Sequence, residues 1–437
     1  MIKEKIKASL QKETLKNNLW KAVKHTLLSR KKIVESYSNW EELREKAFKI
    51  RKTSIENLDK LWEGVKNKIQ SRGGNFFIVE DEKEALKIVE DILEKHKNFP
   101  IVKSKSMVSE EVGIREYLEK KGYEIYETDL GELIVQWEGK PPSHITAPAI
   151  HLSRFEIAKI FEEKLNLKVS SEPEELTKVA REFLREKFLK AKASIVGANF
   201  ILSENGSLVL LENEGNIRFC LNIPEEVIIL TGYEKIIPKI EDLIVFLKLL
   251  PPSATGQLQN CYTSFVPLGK KHHLIVLKSF REKILNSERK EILYCIRCGA
   301  CINTCPVFST IGGHSYSSVY PGPIGLILSF YNLPSLSGDI LNLCSLCFAC
   351  SEICPVKIPI PEIILKGRAS VGKGFLERFI SKSSKIISNR YFFNLTFKVY
   401  NFLPLFLKKI FMKKWIYNRN FLDVKRKDFF KLWKERN

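Results

Sequence analysis

The sequence predicts an α/β domain with a mostly parallel sheet, then a mainly helical cysteine-rich module and a basic helical tail. Three observations predict it. Between residues 70 and 280, short β-branched runs alternate with longer helical patterns, as in a parallel sheet covered on both faces. Eight of the ten cysteines repeat one spacing between Cys295 and Cys354. Residues 366–437 carry +15 of the net charge of +20, from 19 Lys/Arg against four acids. The 437 residues are 44% hydrophobic and 28% charged, a globular composition that excludes a disordered, collagen-like or disulfide-dense chain. With the charge confined to one end, no nucleic-acid partner is implied.

The first 69 residues read as a helical segment, with a helix over 41–70 ended by Gly73-Gly74. The α/β domain spans 70–282. Phe76–Glu80 is a predicted strand, and Asp81 with Glu84 forms a capping box for a helix to Lys97. Ile101-Val102 and Tyr123–Tyr126 are predicted strands around a helix over 107–121. Ser153 with Glu156 starts another helix, and Ser171 with Glu174 a further one, Pro173 lying in its first turn. SIVGANFIL, GSLVLLE, IRFCLNI and EVIIL read as β-structure between Ser194 and Leu230. Pro238 opens a helix to Leu250, and His273–Lys278 is the last strand. His272-His273 reads as an ordinary strand-opening pair.

The repeated spacing is Cys295-x2-Cys298-x2-Cys301-x3-Cys305-Pro306 and Cys344-x2-Cys347-x2-Cys350-x3-Cys354-Pro355. Thiolates are soft ligands suited to iron–sulfur clusters. In two-cluster ferredoxins the cysteine before proline ligates the other cluster. The spacing therefore predicts two [4Fe-4S] clusters. Cys295, Cys298, Cys301 and Cys354 hold the first; Cys344, Cys347, Cys350 and Cys305 hold the second. Zinc ribbons lack the third cysteine and the Cys-Pro end, and covalent haem needs Cys-x-x-Cys-His. Cys220 and Cys261 are read as buried thiols packing as small hydrophobes. The module spans 283–365, and its insert from His314 to Asp339 is expected to fold over the clusters or to meet a partner.

Neither Gly-x-Gly-x-x-Gly nor a Walker A loop occurs. Ligand sites in open α/β sheets lie beyond the strand carboxyl ends. This favours Glu127-Thr128-Asp129, Gly197-Ala198-Asn199 and Glu212–Asn216, or else plain turn chemistry. In the tail, lysines interleave with 16 of the 46 aromatic residues. That suits a helix lying on an anionic membrane surface, a dock on an acidic partner, or a packed helical pair. No leader and no run of 18 apolar residues is visible, so the expected compartment is the cytoplasm, with membrane association on the cytoplasmic face.

The strings YETDLGELIVQ, PSHITAPAIH, GANFILSENGSLVLLENEGN, CIRCGACINTCPVFSTIGGHSYSSVYPGPIG and CSLCFACSEICPVKIPIP resemble the iron–sulfur subunit of bacterial lactate-utilisation (L-lactate oxidation) complexes. The resemblance runs over nearly the whole chain. It implies a lactate-utilisation domain of sugar-isomerase/CoA-transferase-like fold followed by a helical two-cluster ferredoxin. It also implies two partners, a cysteine-rich subunit and a small subunit that repeats the α/β domain. Phe348 stands where the family usually has Gly, which crowds one cluster loop without removing a ligand.

The function expected is electron transfer within a complex oxidising L-lactate to pyruvate, through both clusters to a downstream acceptor. The chain is then an oxidoreductase component rather than a complete enzyme. Three alternatives are the same module serving another 2-hydroxy acid or a thiol–disulfide couple, a transferase or isomerase with Glu214 as nucleophile, and a scaffold with structural clusters.

Overall fold

The structure is a computed structural model that describes residues 2–371 and, beyond them, 384, 388, 389, 391, 392 and 395. Two compact units divide the chain, residues 1–368 and 369–437. The first is described below. The helices and membrane contact expected of the tail beyond residue 371 fall outside the described residues, apart from those few positions.

Ten strands occur in chain order: β1 (Asn75–Val79), β2 (Ile101–Lys103), β3 (Ile125–Glu127), β4 (Ala193–Val196), β5 (Phe200–Leu202), β6 (Ser207–Glu212), β7 (Glu226–Gly232), β8 (Ile236–Ile237), β9 (Tyr262–Pro267) and β10 (His272–Leu277). Six form an all-parallel sheet in the order β1-β10-β7-β4-β2-β3. Side chains alternate faces along each strand. Ile101, Ile195, Ile228, Leu230, Ile275 and Leu277 pack on one side with Val89, Leu93, Ile114 and Leu118. Val102, Val196, Val227, Ile229, Leu274 and Val276 pack on the other with Leu133, Leu184 and Phe188. Both faces are dry, so the strands read as near-continuous apolar runs.

A second sheet, β8-β5-β6-β9, was not foreseen. Its β5–β6 and β6–β9 pairs are antiparallel, and its β9 lies in a stretch without a clear apolar run. IRFCLNI is helix, not strand: Asn216–Asn222 follows Gly215 at φ +78°. Its apolar residues Ile217, Cys220 and Leu221 recur at the helical spacing, which the strand reading overlooked. Gly113 at φ +68° breaks the helix expected over 107–121 into Met107–Val112 and Ile114–Lys120. Asn57 likewise splits 41–70 into Trp40–Glu56 and Leu58–Ser71. Asp81 and Ser153 cap their helices as expected, the latter with the full reciprocal box. Ser171 does not cap: the helix Pro173–Lys190 takes Glu172 at its N-cap, with no side-chain bond.

The N-terminal helices pack on both modules. Glu13–Glu35 lies against Ile240–Thr255 and against Pro306–Ile311, and Trp40–Glu56 lies against the 3-10 turn Lys290–Tyr294. Arg44 Nε donates to the Cys354 carbonyl at 3.0 Å. Arg51, 1% exposed, is the centre of this junction. Its guanidinium donates to the carbonyls of Tyr294 (3.2 Å), Ile236 (3.0 Å), Glu234 (2.6 Å) and Leu293 (2.7 Å). Three chain segments thus converge on one side chain. Arg51→Met would keep the stem and leave four buried carbonyls without a donor. We expect it to lower unfolding stability by about 3–5 kcal/mol in a urea titration. A loss under about 1 kcal/mol would show that the carbonyls find other donors.

Candidate metal centre

Both cysteine motifs fold alike because the backbone enters the left-handed region at matched positions. In the first these are Arg297 (φ +59°) and Gly299 (φ +79°); in the second, Leu346 (φ +57°) and Phe348 (φ +64°). Each motif then runs into a short helix, Ala300–Asn303 or Ala349–Ile353. The turns aim amides at sulfur. Arg297 N–H donates to Cys295 Sγ at 3.4 Å, Leu346 N–H to Cys344 Sγ at 3.3 Å, and Ile358 N–H to Cys354 Sγ at 3.4 Å. Further amides serve Cys298 (Ala300), Cys301 (Ile324) and Cys305 (Val307, Phe308). Such donors stabilise a thiolate and tune a cluster's potential.

Cys295, Cys298, Cys301 and Cys354 line one cavity, walled by Ile145, Ile296, Ile324, Val356, Ile358 and Ile360. Cys301 feels the charge of Cys295, Cys298 and Cys354. Cys305 feels Cys344 and Cys347, and Cys350 feels Cys344, Cys305 and Cys347. The last cysteine of each motif therefore lies with the other motif's triad. All eight are free thiols. Burial pushes Cys298 and Cys350 up to about 12 and Cys354 up to about 11. A buried wall of thiols with amides aimed at sulfur and no disulfide suits thiolate bound to iron, with protons released on loading. The two sets differ in exposure at one member: Cys298, Cys301 and Cys354 are buried and Cys295 half-buried, whereas Cys305 and Cys350 are buried, Cys344 half-buried and Cys347 exposed.

The insert after the first motif does cover this region: Ile324 lines the cavity, and Tyr316 is buried beside Cys305. Sequence reasoning missed the α/β loop that grips the first motif. His144 Nε2 bonds Asn303 Oδ1 at 3.1 Å, and its Nδ1 accepts the amides of Thr146 (3.0 Å) and Ala147 (3.2 Å). The proton therefore sits on Nε2. Gly313 has no room for a side chain, since a Cβ would lie 1.8 Å from the Ser143 carbonyl oxygen.

The three turns proposed as ligand sites converge only in part. Asp129, Gly197–Asn199, Glu212–Glu214 and Asn216 line one cleft of about 310 Å³. Glu127 and Thr128 turn inward instead: Lys103 Nζ donates to Glu127 (2.7 Å) and to Glu110 (3.0 Å), all three buried. Burial and the neighbouring Asp129 push the Glu214 carboxyl up to about 7. Lys105, Lys235, Arg297 and Cys298 complete the cleft. Arg297 could have been found in the sequence as the lone cation inside the first motif; Lys235 carries no such signal. Cys220 is buried as expected, with its thiol up at about 12 from burial. Cys261 is exposed, because its loop leaves the core before β9, and this corrects the expectation of a packed thiol.

A parallel α/β domain carrying a ferredoxin-type cysteine module on its flank defines the class of protein. Residues 62–288 match the LUD domain and residues 291–358 the 4Fe-4S dicluster domain. The chain belongs to the LUD-domain family, in the branch that carries this iron–sulfur segment. It is 42% identical over 353 residues to "Lactate utilization protein B" of Bacillus cytotoxicus, covering 78% of this chain and 74% of that protein. Identity to the protein of the same name from Bacillus cereus is 41% over the same length and shares. A DUF162 family protein from Deinococcus radiodurans has 13% identity and a TM-score of 0.29, over 50% of this chain and 98% of that one.

Two outcomes follow from this geometry. A non-glycine residue in the left-handed region costs about 1–2 kcal/mol, offset in part by the extra chain entropy of glycine. Phe348→Gly is therefore expected to stabilise by about 0.5–1 kcal/mol in urea unfolding, and a loss would mean that the ring's packing outweighs the strain. Burial, then Lys105, holds His144 down at about 3 against an ordinary 6.5. The unfolded chain takes up this proton first as pH falls. Stability from neutral His144 is complete above pH 6.5 and declines by about 1.4 kcal/mol per pH unit below it, until pH 3. Urea titrations at pH 7.5 and 5.5 should show a flatter pH response for His144→Gln; an identical slope would contradict the assignment.

Proposed function

We propose that the chain is an electron-transfer iron–sulfur subunit of a complex that oxidises L-lactate to pyruvate. The observation that carries this reading is the mixed cavity, in which Cys354 of the second motif stands with the first triad. In the reading, Cys295, Cys298, Cys301 and Cys354 hold one [4Fe-4S] cluster, and Cys344, Cys347, Cys350 and Cys305 hold the other. The lactate assignment is supported by relatives named "Lactate utilization protein B".

Clusters so held supply one-electron transfer, whereas lactate oxidation removes two electrons and two protons from the substrate. This chain's residues would hold the thiolates, aim amides at sulfur and exclude water with an isoleucine wall. Cys298 of the first set lines the α/β cleft, and Cys347 of the second set is exposed to solvent. We assign the second set to exchange with a downstream acceptor. The partners proposed are a cysteine-rich subunit and a small α/β subunit.

Iron and sulfide analysis after anaerobic purification, with EPR of the reduced protein, tests the ligand sets. Cys298→Ala should remove one signal and Cys305→Ala the other, each halving the iron. Loss of the same signal in both variants would overturn the crossed assignment. Mixed with both partner subunits, wild-type chain should be reduced by L-lactate; absence of reduction would refute the functional reading.

A further inference from the structure

The cleft of about 310 Å³ in the α/β domain shares a wall with the cysteine cavity: Ile145, Ile296, Arg297 and Cys298 line both. Its charged side chains are unequally partnered. Asp129 Oδ1 accepts the Glu132 amide at 3.1 Å, and Glu212 Oε2 accepts the Ile217 amide at 2.8 Å. Lys235, 6% exposed, makes no hydrogen bond or salt bridge through its ammonium among the described residues. Arg297, 9% exposed, spends Nη2 on Glu234 at 3.1 Å and leaves Nη1 buried with no acceptor. Glu212 Oε1 accepts no hydrogen bond either, Arg218 Nε lying 3.9 Å away.

Burying polar groups without partners is costly, and each is normally matched. Among the described residues, two cationic donors that both feel the charge of Cys295 lack a hydrogen-bond acceptor, and one carboxylate oxygen, paired only with Arg218 at 3.9 Å, lacks a hydrogen-bond donor. A small molecule bearing a carboxylate and a hydroxyl would supply both. A simple anion would satisfy only the cations, and a neutral alcohol only Glu212. A single charge meeting two donors in a part-buried site forms charge-assisted hydrogen bonds, stronger than neutral ones.

We infer that this cleft is a binding site for a small 2-hydroxy acid, its carboxylate on Lys235 and Arg297 and its hydroxyl toward Glu212, beside the first cysteine set. The inference deepens the lactate reading and takes its probe from it. It concerns the isolated chain, however, so the two fail separately. A complex that passes no electrons from lactate leaves binding intact, and absent binding leaves electron transfer through the cysteines intact.

The test is isothermal titration calorimetry on the anaerobically purified full chain with iron content verified. The probes are L-lactate, propionate (which lacks the hydroxyl) and inorganic phosphate. We expect one lactate site, with propionate at least fivefold weaker and phosphate weaker still. Lys235→Gln should weaken lactate at least tenfold, and Lys235→Arg should restore it to within about threefold of wild type. Lys192→Gln, which alters a surface lysine paired with Glu225, should change nothing. No lactate binding, phosphate bound as tightly as lactate, or equal affinity in Lys235→Gln would each overturn the inference. So would equal weakening by Lys192→Gln. Should Lys235→Gln fail to fold, the wild-type chain still decides. L-lactate should perturb the EPR signal that Cys298→Ala removes, and an unperturbed signal would place the ligand elsewhere.

Discussion

Glu234 holds the two halves of the molecule in register. Its carboxylate is fully buried between Arg281 and Arg297, while Arg51 binds its carbonyl. Burial alone would raise this carboxyl; Arg281 and Arg297 bring it down to about 2. Arg281 in turn makes a bidentate pair with Glu111 at 2.8 and 2.9 Å, and the Tyr320 hydroxyl donates to Glu111 at 2.6 Å. The network therefore runs from the helix carrying Glu111, through the end of β7, to the first cysteine motif. Such a network adds little net stability over an apolar packing of the same volume, yet losing any one member strands a buried charge. What it fixes is geometry. Gly232 is glycine because a Cβ there would lie 2.3 Å from Glu234 Oε2.

That fixed geometry explains why the cysteine module is grafted onto the α/β domain rather than joined by a linker. Arg297 sits in the left-handed region between two cysteines, a conformation that costs energy for a non-glycine residue. Its pairing with Glu234 and its place over the Tyr320 ring, 5.1 Å from the centroid, hold it there. The 140–152 loop also closes on this motif through His144, which bonds Asn303, and on the insert after it through Ser143, which accepts the Gly313 amide. The first cysteine set is thus clamped by the α/β domain. The N-terminal helices hold the same set from the second motif's end: Arg30 and Arg44 reach the carbonyls of Ile353 and Cys354. The sets differ at their outermost member, half-buried Cys295 in the first and exposed Cys347 in the second, and solvent access is one of the levers that tune the potential of an iron–sulfur cluster.

The iron–sulfur segment was legible because cysteine spacing is a local property, readable wherever the motif sits. The parallel sheet was legible because both its faces are dry and its strands read as apolar runs. Asp81 and Ser153 were legible as caps because a cap is decided within four residues. Three things were not. β9 is a solvent-facing strand whose partner, β6, lies far away in sequence, so no local pattern marks it. The helix Asn216–Asn222 is too short for its period to outweigh its β-branched start. Lys235 looks like an ordinary lysine after β7, and only the third dimension places it in the cleft that Cys298 also lines, with no hydrogen bond through its ammonium among the described residues.

The cleft and the cysteine cavity share a wall, which couples the two modules. A ligand in the cleft and a cluster in the adjoining cavity would both press on Ile145, Ile296, Arg297 and Cys298. Any change that loading makes to that wall alters the cleft, and by linkage any ligand in the cleft alters the cavity by the same free energy. The wall is stiff, because Arg297 cannot shift without unpairing Glu234, and Glu234 cannot shift without unpairing Arg281. Stiffness of this kind transmits charge rather than motion. An anion drawn to Lys235 and Arg297 would place negative charge next to the first cysteine set. That disfavours adding an electron to a cluster there and favours handing it on toward the exposed second set. The direction of electron flow would then be set by the charge of the bound anion acting across a fixed wall, without a moving part.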